Sequence, residues 1–181
     1  MPGDATFWTS RGNHRPPHLY IGGVAHWITG ATLNHAPFVR SPARKEHFLE
    51  VLGNLCAELR VIIIAWVLLD DHYHAIMVPE DAPLLGVLLG RLHRTTATSF
   101  NREDGTAGRQ VWYSHWDTVL RTEGDMYSRI NYTHRNPVKH GYVTDPAEWP
   151  WSSYRAFLEV EDPEVLDRLN RFPSPLRLPN D

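Results

Sequence analysis

The chain has 181 residues, a single cysteine and a formal net charge of −3. This length suits one compact domain with its own core, and the lone Cys56 excludes both an internal disulfide and a thiolate metal cluster. The slightly acidic balance does not announce a nucleic-acid binder, nor does it exclude one that uses local basic surface.

No signal-peptide pattern opens the chain, and the longest apolar run, Val61 to Leu69, is too short to span a bilayer. A soluble cytoplasmic protein is expected, with Cys56 as a small buried apolar residue. Residues 1–17 mix Gly, Pro, Arg and polar residues without periodicity and read as a loose leader. The domain proper is expected over 18–160, followed by a Pro-rich tail over 161–181.

Leu19 to Leu33 is rich in Ile, Val, Trp and Thr and reads as a strand bent at Gly22-Gly23. Ser41-Pro42 opens a helix in which Phe48, Leu52, Leu55 and Leu59 recur at helical spacing. Val61 to Leu69 is β-branched and nearly all apolar, as a central strand covered on both faces would be. Asp70-Asp71 supplies turn chemistry before a further strand, His72 to Val78, ended by Pro79.

A second helix starts near Pro83, with Leu85, Leu88, Leu89 and Leu92 on one side and Arg91 and Arg94 toward another. Asn101 to Arg109 reads as a polar loop and Val111 to Leu120 as the last main strand. Thr122-Glu123-Gly124-Asp125 resembles a helix entrance, and the helix from Met126 is expected to stop near Arg135, before Asn136-Pro137. The order strand, helix, strand, strand, helix, strand, helix predicts an α+β, ferredoxin-like antiparallel sheet with helices packed on one face.

Two constellations carry chemistry. On a strand, His72 and His74 point to one face, about 7 Å apart along the chain, a spacing that permits shared metal ligation. Asp70 and Asp71 are ligand candidates by proximity, against the plain reading as hairpin residues. On a helix, Tyr132 and Asn136 lie four apart on one face, so a phenol and an amide can approach one site. Spacing alone permits an ordinary packed tyrosine and a helix-terminating asparagine equally well.

Three segments in order, Trp66 to Pro79, Tyr132 to Val143 and Glu148 to Tyr154, resemble the REP-associated tyrosine transposases, a branch of the single-tyrosine His-hydrophobe-His (IS200-like) transposases. The strings Asn136-Pro137-Val138-Lys139-His140-Gly141 and Trp149-Pro150-Trp151-Ser152-Ser153-Tyr154 carry most of the likeness. The resemblance implies His72, His74 and Asn136 as ligands of a divalent metal, Mg²⁺ or Mn²⁺, and Tyr132 as the nucleophile. It implies a single-stranded DNA endonuclease and strand transferase working through a 5′-phosphotyrosine on hairpin or palindromic repeat DNA, as a monomer or homodimer. Arg91, Arg94, Arg109, Arg121, Arg129, Arg135 and Lys139 are candidate phosphate contacts. The chain departs from the family pattern at Asp70-Asp71, Tyr73 and His115. A non-catalytic nucleic-acid-binding module and a hydrolase that uses water are the alternatives.

Overall fold

The computed structural model describes residues 23–159 and 163–173. The expected leader and the beginning of the first expected strand lie outside them. Four strands, β1 (His26–Thr32), β2 (Ile62–Leu68), β3 (His72–Val78) and β4 (Trp112–Val119), form one antiparallel sheet in the order β2-β3-β1-β4. Helix α1 (Pro42–Leu59) connects β1 to β2, α2 (Ala82–Glu103) connects β3 to β4, and α3 (Glu123–Lys139) follows β4. This is the α+β, ferredoxin-like arrangement predicted from the order of elements. No helix among the described residues is long and apolar enough to cross a membrane.

Side chains alternate between the sheet's two faces, and each face has its own core. Ile28, Trp66, Tyr73, Ala75 and Met77 pack with Phe48 and Leu52 of α1 and Leu88 and Leu92 of α2. Cys56 joins this cluster, and burial pushes its thiol up to about 12, so it behaves as a small apolar residue. On the other face, Trp27, Ala65 and Ile76 pack with Met126, Tyr127, Ile130 and Tyr132 of α3. Thus α1 and α2 share one face, as expected, while α3 crosses the opposite one. His72 and His74 share the face of Ile76 and lie beneath α3.

Three local features differ from expectation. β2 is at the edge of the sheet, not at its centre. Its apolar sequence reflects cover by the segment after α3: Leu68 N–H donates to the Trp151 carbonyl at 2.9 Å, and Ser153 N–H to that of Trp66 at 3.0 Å. Val67 pairs with Ser152, so this edge is capped by chain and not left open.

The third helix also runs on through Pro137 to Lys139. Pro137 forgoes its own i→i−4 bond, yet the helix holds its course for two more residues, and the His140 N–H still reaches the Asn136 carbonyl at 3.0 Å. At the other end, a capping box between Thr122 and Asp125 starts the helix where the sequence places its entrance.

Finally, part of the expected Pro-rich tail is a helix, α5 (Pro163–Arg171), which follows the short α4 (Tyr154–Glu159). Val165 enters the α3 core, Asn131 Nδ2 donates to the carbonyls of Leu169 (2.6 Å) and Phe172 (2.7 Å), and Phe172 stacks on Tyr127. Docking onto α3 supplies order that the local composition did not predict.

Candidate active site between β3 and the third helix

The β2–β3 hairpin sets the position of the two histidines. Its Asp70 turns toward α1, where the buried Lys45 Nζ donates to Asp70 Oδ1 at 2.5 Å and to the carbonyls of Val39 and Arg40 at 2.9 and 3.0 Å. Asp70 therefore anchors the hairpin and is not directed at the histidines. Asp71 is: His72 Nδ1–H donates to its Oδ1 at 2.7 Å, while exposed His35 reaches its Oδ2 at 3.1 Å. Burial raises the Asp71 pKa, but the bonds and charge of His72 and His35 outweigh it and hold the carboxyl below its usual value.

With Nδ1–H committed to Asp71, a neutral His72 presents a lone pair at Nε2. The Asn136 Oδ1 lies 3.1 Å from that nitrogen. Two acceptors so close are reconciled by a proton on Nε2 or by a cation between them. His74 is 1% exposed, and its Nδ1 is 2.9 Å from Thr29 Oγ1, across the β1–β3 register. Burial, then the neighbouring charges of His72, His140, Lys139 and Arg129, push its pKa well below the ordinary value, so the ring is neutral. If Nδ1–H donates to Thr29, Nε2 carries a lone pair, and that buried atom has no hydrogen-bond partner among the described residues.

The residues therefore fit a divalent ion. Two imidazole nitrogens and an amide oxygen would supply its donors, and a carboxylate and a hydroxyl orient the two rings from behind, as hydrogen-bond partners of metal-ligating histidines do. A second group, His35, Asp71 and His72, also has ligand atoms within 4.8 Å of one another. There Asp71 already accepts from both rings, which accounts for that cluster by hydrogen bonding.

Tyr132 is 2% exposed and enters from α3. Its ring meets His74 edge-on at 5.4 Å between centroids and Trp27 at 5.8 Å, while Trp27 stacks on His74 at 5.0 Å. Lys139 Nζ donates to the Tyr132 hydroxyl at 2.7 Å. The structure thus brings together His72, His74, Asn136 and Tyr132, from a strand and a helix that are remote in sequence.

The candidate phosphate contacts are dispersed. Arg91 forms a two-pronged pair with Glu58, at 2.5 and 2.9 Å, and Arg109 is held by Asp104 and Asn101 at 2.6 and 3.0 Å. Arg94 and Arg121 are exposed on α2 and beyond β4, whereas Arg129, Arg135 and Lys139 lie on α3 itself. The Arg129 guanidinium sits over the Trp27 ring at 4.7 Å.

Sequence reasoning missed Thr29 and Trp27, because no local pattern tells which β1 residues fall opposite His74. It named Asp71 but favoured the turn role, and it gave Lys139 to DNA without seeing that helix continuation carries it to Tyr132.

No protein-family model matches the chain. Among curated proteins it is 29% identical over 128 residues to one from Haemophilus influenzae named "Putative REP-associated tyrosine transposase", covering 63% of this chain and 70% of that protein. It is 30% identical over 94 residues to the REP-associated tyrosine transposase of Escherichia coli, covering 51% of this chain and about half, 53%, of that protein. Among solved structures, a REP-associated tyrosine transposase bound to a REP hairpin superposes with a TM-score of 0.60 at 21% identity, covering 82% of this chain and 86% of the other. The structural likeness establishes the shared fold, and the sequence relatives bear out the resemblance drawn from the three segments.

Proposed function

From its kinship with the REP-associated tyrosine transposases, we propose that this chain is a metal-dependent single-stranded DNA endonuclease and strand transferase whose nucleophile is Tyr132. The observation that supports this most directly is the meeting of His72 Nε2 with Asn136 Oδ1 at 3.1 Å, one helical turn from a tyrosine packed against His74. A purely structural tyrosine does not need an amide and two oriented imidazoles around it.

His72, His74 and Asn136 hold the divalent ion, with Asp71 and Thr29 fixing the two rings. Bound there, Mg²⁺ or Mn²⁺ supplies Lewis acidity to the scissile phosphate and neutralises charge developing toward the leaving oxygen. Asn136 Nδ2, buried and without a hydrogen-bond partner among the described residues, is a donor suited to a phosphate oxygen. The α3 backbone holds Tyr132 and Asn136 four residues apart, so nucleophile and phosphate-orienting group move as one rigid unit.

In cleavage the Tyr132 oxygen attacks phosphorus, the bond to the 3′-oxygen breaks, and the products are a 5′-phosphotyrosine and a free 3′-hydroxyl. The phosphodiester is conserved in the covalent link, so a second 3′-hydroxyl can displace Tyr132 and rejoin strands without ATP. The partner is single-stranded DNA that carries a hairpin, in keeping with the hairpin named for the structural neighbour.

The test is covalent trapping. Hairpin-bearing single strands incubated with the protein and Mn²⁺ give an adduct that resists denaturation, and Tyr132→Phe abolishes it. An adduct that persists in Tyr132→Phe removes Tyr132 from the role; strand cleavage with no adduct in either protein points to water as the nucleophile.

A further inference from the structure

We infer that Lys139 is the positioning residue for the Tyr132 phenol oxygen, and that it acts on the tyrosine and not on the DNA backbone. The inference rests on the proposed nucleophilic role of Tyr132. Its geometry is specific. Lys139 is seven residues, two helical turns, beyond Tyr132, which returns it to the same side of α3. That register exists only because the helix passes through Pro137 and ends at Lys139. The ammonium then donates to the phenol oxygen at 2.7 Å and lies 4.8 Å from the ring centroid.

Trp27 and His74 lie against the Tyr132 ring, which is 2% exposed. Lys139 is exposed while the phenol is buried, so its side chain brings a solvated cation to the one atom that reacts.

The chemistry gives this contact two tasks. During cleavage the oxygen–phosphorus bond forms, the phenolic proton passes to solvent, and the 3′-oxygen leaves with the electron pair and is protonated from solvent. The Lys139 hydrogen bond occupies one lone-pair direction and holds the other toward phosphorus. During strand transfer the incoming 3′-hydroxyl oxygen bonds to phosphorus and gives up its proton to solvent, the tyrosine–phosphorus bond breaks, and Tyr132 departs as a phenolate that is reprotonated from solvent. The Lys139 ammonium already faces that oxygen, and charge-assisted bonds of this kind are about twice as strong as neutral ones.

The rival role for Lys139 is a phosphate contact, and the two roles predict different measurements. With a hairpin strand that the wild type cleaves, Lys139→Met is expected to lower the rate of adduct formation at saturating DNA by about 100-fold, the effect of losing one preorganised donor. Lys139→Arg, which restores the cation and N–H donors, is expected to recover most of that rate. Binding of a fluorescent strand to Tyr132→Phe and to Tyr132→Phe/Lys139→Met, measured against salt, is expected to give the same Kd and the same salt slope.

A slope lower by about one, with weakened binding and an unchanged saturated rate, assigns Lys139 to phosphate and overturns the inference. An unchanged saturated rate with unchanged binding overturns it as well. In both cases Tyr132-dependent adduct in the wild type leaves the nucleophile assignment standing. Absence of any Tyr132-dependent adduct with wild type removes that assignment and this inference together. Melting curves of Lys139→Met matching wild type exclude misfolding as the cause of a rate loss.

Discussion

The Asp71 carboxylate and the His72 imidazole, adjacent in sequence, are joined side chain to side chain at 2.7 Å at the head of β3. This contact turns a hairpin residue into the group that fixes the ring's tautomer. Asp71→Ala is expected to weaken Mn²⁺ binding by about 10- to 100-fold, the usual effect of losing an outer partner of a ligating histidine. Calorimetric titration of the folded variant measures it. Equal affinities in the two proteins would remove Asp71 from the site and leave it as a turn residue.

If His72 and His74 are ligands, the metal stabilises the folded state alone. Wild type in Mn²⁺ at about 100 times its Kd is expected to gain about 2.7 kcal/mol. The His72→Ala/His74→Ala protein is expected to gain nothing beyond a chelator-treated control. Denaturant midpoints with and without Mn²⁺ make the comparison, and an equal gain in both proteins would place the ion elsewhere.

These predictions depend on contacts that the sequence carried unevenly. The strand pair around Asp70-Asp71 and the helices opened by Ser41-Pro42 and Thr122 were legible because each has a local cause: alternation, proline at the first turn, a capping box. His72 with His74, and Tyr132 with Asn136, were legible as two pairs, since strand and helix periods dictate which side chains share a face. Their convergence was not legible from the residues, because it depends on α3 crossing the face opposite to α1 and α2, a tertiary choice. The resemblance supplied that link. The edge position of β2 was hidden for a related reason: its apolar sequence reports cover, and the cover comes from residues 151–153, more than eighty positions away. Pro137 misled because one lost i→i−4 bond does not by itself end a helix when a later N–H, that of His140, still reaches the Asn136 carbonyl.

The face behind the site imposes a second constraint on β3. A Cβ added at Gly30 would lie 2.2 Å from Cε1 of Tyr73, a fully buried ring whose hydroxyl is 3.0 Å from His93 Nε2. Tyr73 lies between His72 and His74, so displacing its ring strains the strand that carries both. Gly30→Ala is expected to destabilise the fold by about 1–3 kcal/mol, the range for overpacking a filled core. Truncating the ring in Gly30→Ala/Tyr73→Leu is expected to relieve part of that cost. Chemical denaturation of both variants and of Tyr73→Leu closes a double-mutant cycle. Strict additivity would show that the two residues do not collide.

His93 gives the fold a dependence on pH that is separate from the candidate metal site. It stacks on Trp112 at 4.6 Å, and burial, with a smaller contribution from the charge of His115, pushes its pKa from 6.5 down to about 3. Because the folded value is depressed, the unfolded chain binds the proton first as pH falls. Stability is therefore complete above about pH 6.5 and declines between there and about pH 3, approaching roughly 1.4 kcal/mol per pH unit once the unfolded side chain is fully protonated. His93→Gln cannot take up that proton. The variant is expected to be less stable than wild type at pH 7, through lost packing on Trp112, and to lose stability less steeply between pH 6 and 4. Urea midpoints at several values in that range give both slopes; parallel slopes would mean that His93 is protonated as readily in the folded protein as in the unfolded chain.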